Sequence, residues 1–253
     1  FQLDEDHPEH PTSKDHQYYG GIGYGSAGPK HPDLSNTQWA LEALYSTRDL
    51  VKDTKHQQES ELAWDHARNF LKAVQNVPED ADETWLVSER ENDNMDGGFI
   101  YKPDASKVNE KLRKQGKEVQ GLRSYGSMTY AGLKSMIYAD LDKEDFRVKA
   151  AVDWARNHYT LKENPVLGAD GYYYYLQTFA KAMDAYGRDV LKSSDGTAHE
   201  WREDLLTKLI ELQEDNGQWS NERSGRWMES IPELVTSYAM IAMEVALDDR
   251  LVD

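Results

Sequence analysis

The fold is decided by the stretch DGYYYYLQTFAKAMDAY, residues 170–186, in which a Gly beside an aromatic residue opens an unusually apolar helix. The same kind of phrase occurs three more times: Gly20-Gly21-Ile22-Gly23-Tyr24, Asp96-Gly97-Gly98-Phe99 and Asn216-Gly217-Gln218-Trp219. Apolar helices follow the four phrases and begin near Ser35, Ser124, Gly171 and Ile231. A unit that recurs in this way is the sequence signature of a repeat architecture. The pattern therefore predicts a protein built from repeated helix pairs.

Charged helices alternate with the apolar ones. Apolar residues at helical spacing predict them at residues 58–74, 145–159 and 200–214, which carry 5, 5 and 7 charged residues. The apolar helices at 35–49, 124–138, 171–186 and 231–247 carry only 3, 1, 2 and 2. A helix that is apolar nearly all round is buried, whereas one with a single apolar stripe lies on the surface. The alternation predicts an all-α fold, an α/α toroid, in which inner helices form a partial or complete ring and outer helices wrap it.

The chain reads as one repeat domain with a short extension. Residues 1–19 are polar and predict an extended lead-in, and residues 20–253 predict the repeat domain, with about four helical hairpins. An irregular insertion at 76–123 interrupts the repeats. No segment rich in Pro, Gly and Ser divides the chain, so a second domain is not indicated.

Composition excludes several classes of function. The 253 residues include 46 acidic and 29 basic ones, for a net charge of −17, and this field repels nucleic acids and anionic membrane surfaces. No run of 18 apolar residues is present, so no membrane span is predicted. The chain has no Cys, which removes disulfides, thiolate metal ligands and a Cys nucleophile.

One motif carries a family resemblance. The stretch Leu212-Gln213-Glu214-Asp215-Asn216-Gly217-Gln218-Trp219 resembles the QW motif of squalene–hopene cyclases, and residues 32–41 resemble the opening of an inner helix in the same proteins. The chain is thus similar, over residues 17 to 247, to the prenyltransferase and squalene-oxidase repeat family, which includes terpenoid cyclases and protein prenyltransferase β subunits. In that family the Gln and Trp tie neighbouring repeats together. The resemblance implies the α/α-toroid fold.

Two further stretches, residues 122–138 and 171–182, resemble a bacterial subgroup of these repeat proteins, mostly of unassigned function and usually exported. The resemblance implies an exported or periplasmic location in a bacterium. Members of the subgroup carry further repeats ahead of the segment that corresponds to Tyr18. A six-hairpin ring needs twelve helices and the sequence predicts seven. We therefore expect an open arc, or a ring completed by a partner chain or by another part of the gene product.

The catalytic motifs of the best-known relatives are missing. The sequence that comes nearest to the Asp-x-Asp-Asp acid motif of cyclases is Asp80-Ala81-Asp82-Glu83. It lies in a charged segment that follows an outer helix. The acidic C-terminus, residues 248–253, has the wrong spacing for a diphosphate-binding motif. Protein prenyltransferases use a Cys as zinc ligand, which this chain cannot supply. The His, Asp and Glu residues before Tyr18 indicate a mobile acidic tail, with an exposed site for a divalent cation as the alternative. No metal site is predicted, and the residues indicate no particular cofactor.

A ligand site is predicted where the inner helices begin, because these ends gather at one mouth of a toroid. The ligand-binding candidates, besides Asn36, are Arg123, Tyr125, Tyr172, Tyr174, Gln177 and Lys181. The candidates for acid–base catalysis are the carboxylates Asp170, Glu229 and Glu233. Successive helical residues turn by about 100°, so residues 172–175, all Tyr, cannot all face this mouth. Alternatively, most of these polar groups cap helices and satisfy one another.

Two functions remain open on sequence. One is a binding or interaction module that takes a small apolar or glycan ligand in an aromatic-walled cavity. The other is an enzyme that acts on a terpenoid-like or carbohydrate substrate through carboxylate acid–base chemistry. The state of the cavity carboxylates distinguishes them: an isolated, desolvated carboxylate favours the enzyme, and fully paired carboxylates favour the module.

Overall fold

A computed structural model describes residues 2–7, 11–24, 31–78 and 95–247. Within this part the chain is mostly helical, with one short antiparallel hairpin, so the prediction of an all-α protein is confirmed. The acidic motif at 80–83 and the C-terminal residues 248–253 lie outside the described residues.

The helices in the described residues fall close to the predicted positions. They are α1 (Leu34–Val51), α2 (Gln57–Ala73), α3 (Lys107–Lys114), α4 (Gly126–Tyr138), α5 (Phe146–Asn157), α6 (Tyr172–Tyr186), α7 (Trp201–Leu212) and α8 (Pro232–Leu247). The hairpin pairs β1 (Val190–Lys192) with β2 (Ala198–Glu200), and a 3₁₀ turn spans Arg226–Met228. The sequence predicted neither α3 nor the hairpin, because each is short and polar.

Local chemistry sets the helix ends. The Asp33 carboxylate accepts the Asn36 N–H at 2.9 Å and caps α1, and Asp145 caps α5 through the Arg147 N–H at 2.8 Å. Helix α6 instead lies between two glycines with positive φ, Gly171 and Gly187, whose values of 64° and 66° disfavour other residues. Gly171 supplies no side chain, so the first N–H groups of α6 need an acceptor from elsewhere.

The apolar helices pack side by side in chain order: α1 on α4, α4 on α6, and α6 on α8. Among the charged helices, α2 packs on α1 and α4, α5 on α4, and α7 on α6 and α8. Helices α4 and α6 are almost wholly buried, as the sequence predicts. The aromatic core between them includes Tyr130 and Phe179, whose ring centroids are 5.0 Å apart, and Trp201 from α7.

The two helices at the ends of this row differ from the prediction. Although α8 is apolar nearly all round, its fully buried residues are Val235, Ala239, Ala242 and Ala246, while Met240 is 60% exposed. Helix α1 also buries one face only, and Leu50 near its end is exposed. Both helices have a packed helical neighbour on one side of the row within the described part of the chain, which explains the half-burial.

A hydrogen bond recurs where the Gly phrases meet the buried helices. In three of the four repeated Gly motifs, a residue that follows the glycines donates its backbone N–H to the Oγ1 atom of a Thr. That Thr lies near the start of the next apolar helix. The pairs are Ile22 to Thr37 (3.0 Å), Phe99 to Thr129 (3.1 Å) and Trp219 to Thr236 (3.1 Å). The same contact therefore joins turn to helix at α1, α4 and α8.

The QW-like residues support the turn before α8. The indole N–H of Trp219 donates to the carbonyl of Leu209 in α7 at 2.8 Å, while its backbone N–H reaches Thr236 in α8. Trp219 thus links an outer helix to the next buried one. Gln213 has a more local role, because its amide donates to the Gly217 carbonyl at 2.8 Å and closes the turn.

We expect Gly132→Ala in α4 to destabilise the fold by about 1–3 kcal/mol, because an added methyl group would meet the Phe99 ring at 2.4 Å. Urea unfolding at pH 7 measures this. The control is Ser135→Ala on the same buried helix, since the Ser135 hydroxyl has no hydrogen-bond partner among the described residues. A Gly132→Ala variant as stable as this control would contradict the tight packing of Phe99 on α4.

Candidate functional site

A cavity of about 340 Å³ opens where α1, α4 and α6 begin, near the first turns of α8. Its aromatic walls come from Tyr24, Trp39, Tyr101, Tyr125, Tyr174, Trp227 and Tyr238. The other lining residues are Asp33, Ser35, Asn36, Lys107, Ser127, Met128 and Glu229. Half of the lining is aromatic, which is typical of a pocket for a ligand with an apolar face.

One cavity carboxylate, Asp33, already accepts hydrogen bonds from neighbouring protein groups. Its two oxygens accept hydrogen bonds from the Asn36 backbone and amide, at 2.9 and 2.7 Å, and from the Tyr101 hydroxyl at 2.9 Å. Asp33 is 4% exposed. The residue therefore caps α1 and fixes the Tyr101 ring at the cavity wall.

The second cavity carboxylate, Glu229, is also fully buried. Its Oε1 accepts the Tyr174 N–H at 2.8 Å and its Oε2 accepts the Asn221 amide at 2.6 Å. Glu229 thus provides the acceptor that Gly171 cannot give to the start of α6. Burial raises its pKa above the ordinary value, and the hydrogen bonds from the α6 backbone and Asn221 only partly offset this.

The cavity tyrosines are uncharged at neutral pH. Burial raises the pKa values of Tyr101, Tyr125, Tyr174 and Tyr238 above that of a free phenol, so all four carry their proton at neutral pH. The Tyr174 hydroxyl lies 3.0 Å from Ser35 Oγ and so bridges α6 to α1.

The 3₁₀ turn Arg226–Met228, which forms the rim of the cavity beside α6, contains a strained aromatic residue. Trp227 has φ 55° and ψ 38°, and Met228 follows it with φ 67°, in the left-handed region that L-residues avoid. Each such residue costs about 1–3 kcal/mol, and this strain concentrates at binding and active sites. Trp227 is nevertheless 43% exposed and lines the cavity. A side chain at Gly171 would come within 3.0 Å of its ring.

Asp170 lies beside this rim rather than in the cavity lining. It accepts the Ser224 hydroxyl at 2.7 Å, and its Oδ2 lies 3.3 Å from both Lys111 Nζ and Arg226 NH1. Burial raises the pKa of Asp170, but these partners outweigh burial and leave the pKa below its ordinary value. The Arg226 guanidinium lies over the Trp227 ring at 4.4 Å. Asp170 therefore holds Arg226, and through it Trp227, in place at the rim of the cavity.

The structure brings together four of the residues proposed for the mouth: Asn36, Tyr125, Tyr174 and Glu229 line the cavity. It places the others elsewhere. Arg123 and Glu233 are exposed, and neither is a lining residue. Tyr172 is buried away from the cavity, where its hydroxyl donates to the Leu161 carbonyl at 2.5 Å. Gln177 and Lys181 lie deeper along α6.

Lys181 belongs to a cluster of three charges between α1, α4 and α6. The Glu42 carboxylate pairs with both Lys134 and Lys181. Burial raises the pKa of Glu42, but the two ammonium groups outweigh this and lower it. Burial lowers the pKa of Lys134 to about 8, although Glu42 opposes the change. Among the described residues, the cluster thus carries one positive charge more than it has carboxylates to pair with it.

Sequence reasoning missed several cavity residues. Trp39 and Tyr238 lie one and two turns into α1 and α8, and the helical spacing could have placed them. Tyr101, Lys107 and Trp227 come from irregular segments, whose path no periodicity reveals. Lys134 is the single charged residue in the helix predicted at 124–138. A lone charge on a helix predicted to be buried was the signal that could have indicated a buried charge cluster.

In the described residues, no three His, Cys, Asp or Glu side chains are grouped so that they could hold a metal ion. No described helix combines the length and the apolar character needed to cross a membrane. No family model, curated protein or solved structure matches the chain.

We expect Lys134→Met to raise the free energy of unfolding at pH 7 by about 1–4 kcal/mol, because Lys181 still neutralises Glu42 and a buried charge is removed. The native pKa of Lys134, about 8, lies below its ordinary value of 10.5. The contribution of Lys134 to the free energy of unfolding is therefore fully present above pH 10.5, where its side chain is neutral. This contribution is lost as pH falls through 8 and the buried side chain becomes charged. The advantage of the variant should shrink between pH 8 and pH 10.5.

Urea unfolding at pH 7 and pH 10 measures the difference. The matched control is Lys192→Met at an exposed position of β1, for which the difference from wild type should stay small at both pH values. A Lys134→Met protein that is less stable at pH 7, or whose advantage is the same at both pH values, would contradict the uncompensated charge.

Proposed function

We propose that the chain is a ligand-binding module of the α/α-toroid class, related to the prenyltransferase and squalene-oxidase repeats but without their catalytic motifs. Three features support the toroid: the row of buried helices in chain order, the charged helices packed along it, and the Thr hydrogen bond that recurs at α1, α4 and α8. Repeat proteins stack similar units in this way. The half-exposed α1 and α8 are the places where further repeats or a partner chain would continue the row.

The observation that carries the binding function is the cavity itself. Its aromatic walls are held by hydrogen bonds, and both of its carboxylates already serve the fold as helix caps. Their oxygens are occupied, so the lining favours binding over acid–base catalysis. Aromatic faces interleaved with hydroxyl and amide groups suit a ligand with an apolar ring face and several hydroxyls, that is, a saccharide.

Trp39 and Trp227 should supply much of the affinity, because both are partly exposed and line the cavity. We expect mono- and disaccharides to quench the fluorescence of the intact chain, and Trp39→Ala or Trp227→Ala to weaken binding at least tenfold. Burying a large apolar side chain is worth about 1.5–3 kcal/mol, and a tenfold change in affinity is about 1.4 kcal/mol.

The control for these variants is Trp64→Ala on α2, since Trp64 is not a cavity residue. It should leave binding unchanged. If no saccharide binds, or if the three variants bind equally well, the cavity is not the site and the proposed function fails.

A second candidate function is an enzyme, and one observation favours it. Glu229 is a desolvated cavity carboxylate with a raised pKa, and its described partners are an amide and backbone N–H groups rather than a cation. Such a group suits a general acid in glycoside cleavage. Asp33 is the other cavity carboxylate and would be its counterpart.

If the chain cleaves a glycoside, Glu229→Gln should lower kcat at least 100-fold, while Glu233→Gln on the exposed first turn of α8 should leave it unchanged. A general acid works in its protonated form, so kcat/KM should fall as pH rises through the raised pKa of Glu229. Release of 4-nitrophenol from a panel of 4-nitrophenyl glycosides measures both effects. Equal loss in the two variants, or none, would exclude this role for Glu229.

A further inference from the structure

Among the described residues, the charge cluster beneath Trp39 has more donors than acceptors. Each lysine ammonium has three N–H donors, and the Glu42 carboxylate takes one from Lys134 and one from Lys181. The exposed fractions of these side chains are 0% for Lys134, 15% for Lys181 and 19% for Glu42. The cluster is therefore largely shielded from water but still reachable through Glu42 and Lys181.

Trp39 connects this cluster to the cavity. Its ring centroid lies 4.9 Å from the Lys181 nitrogen and 5.6 Å from that of Lys134, within the range of a cation–π contact. The same side chain lines the cavity and is 37% exposed. A ligand on Trp39 would thus lie near the partly exposed Lys181.

Two buried amides, on α1 and α6, each lie one turn from a residue of the cluster. Gln177 follows Tyr174 by one turn and precedes Lys181 by one turn, and both of those residues reach α1. Gln177 is fully buried, and neither of its amide atoms has a hydrogen-bond partner among the described residues. On α1, the Oε1 atom of the buried Gln38 is also unpartnered there. Such groups are costly unless something bonds them.

We propose that the ligand of this cavity carries a carboxylate, which binds Lys181, the partly exposed lysine of the cluster beneath Trp39. The inference rests on the proposed function and narrows it to an acidic saccharide. One uncompensated positive charge matches one carboxylate, whereas a phosphate dianion would leave an excess of negative charge. The depressed pKa of Lys134 reflects the cost of keeping this charge buried, as expected of a binding site that trades stability for function.

The experiment compares hexuronates with the matching neutral hexoses on the full chain, by Trp fluorescence and calorimetry. Glucuronate, galacturonate and mannuronate are each paired with glucose, galactose and mannose, and acetate and inorganic phosphate report the anion alone. We expect at least one hexuronate to bind tenfold or more tightly than its hexose. Lys181→Gln should abolish that preference and leave hexose binding in place, and Lys192→Gln should change neither.

The outcomes separate the two proposals. If hexoses and hexuronates bind equally, or if Lys181→Gln keeps the preference, the carboxylate site is wrong and the saccharide module stands. If neither class binds, both proposals fail. If phosphate binds more tightly than every hexuronate and than acetate, the assignment to a carboxylate is wrong.

A second variant tests the site without relying on the sugar. Glu42→Gln leaves two buried ammonium groups without their carboxylate, so the variant should be less stable than wild type. Acetate should raise its melting temperature by several degrees more than sodium chloride at equal ionic strength, and more than it does for wild type. An equal effect of the two salts would overturn the site. If Glu42→Gln does not fold, Lys134→Met gives the same decision through loss of the hexuronate preference.

Discussion

The structure depends on finding acceptors for the first N–H groups of helices whose ends are buried. Water cannot reach these groups, so the protein must supply oxygen atoms. Asp33 serves α1, Asn164 accepts the Ser127 N–H of α4 at 3.0 Å, and Glu229 serves α6 from a loop more than 50 residues away. Because the capped ends meet at one place, the same side chains that complete the helices also shape the cavity.

The sequence predicts the helices well where the signal is periodic and poorly where it is not. The alternation of charge placed α4 and α6 in the interior, since a helix that is apolar nearly all round is expected to be buried. Burial of α8 was overestimated because the pattern describes the helix and not its neighbours. Glu229 and Tyr174 were found as site candidates from their place at helix starts. Trp227 and the pairing of Lys134 with Glu42 depend on contacts between distant segments, which no local pattern contains.

The polar groups near the cavity divide into those that serve the fold and those that the fold leaves unsatisfied. Asp170 belongs to the first group, because Lys111, Arg226 and Ser224 occupy it and the result is a fixed Trp227. Lys134, Lys181 and Gln177 belong to the second, because among the described residues they bring donors into a shielded space without enough acceptors. In a chain with a net charge of −17, such a positive centre favours an anion locally against the overall field.

The recurring bond from a turn N–H to a Thr hydroxyl has a consequence for how such a chain can change over evolution. Helices α1, α4 and α8 are each attached to a preceding turn by the same local contact, so a duplicate of such a helix pair would bring its own attachment with it. Insertion or deletion of one pair would then lengthen or shorten the row without remaking the rest. Such a change would widen or narrow the concave side, and ligand size could diverge among descendants that keep the same unit.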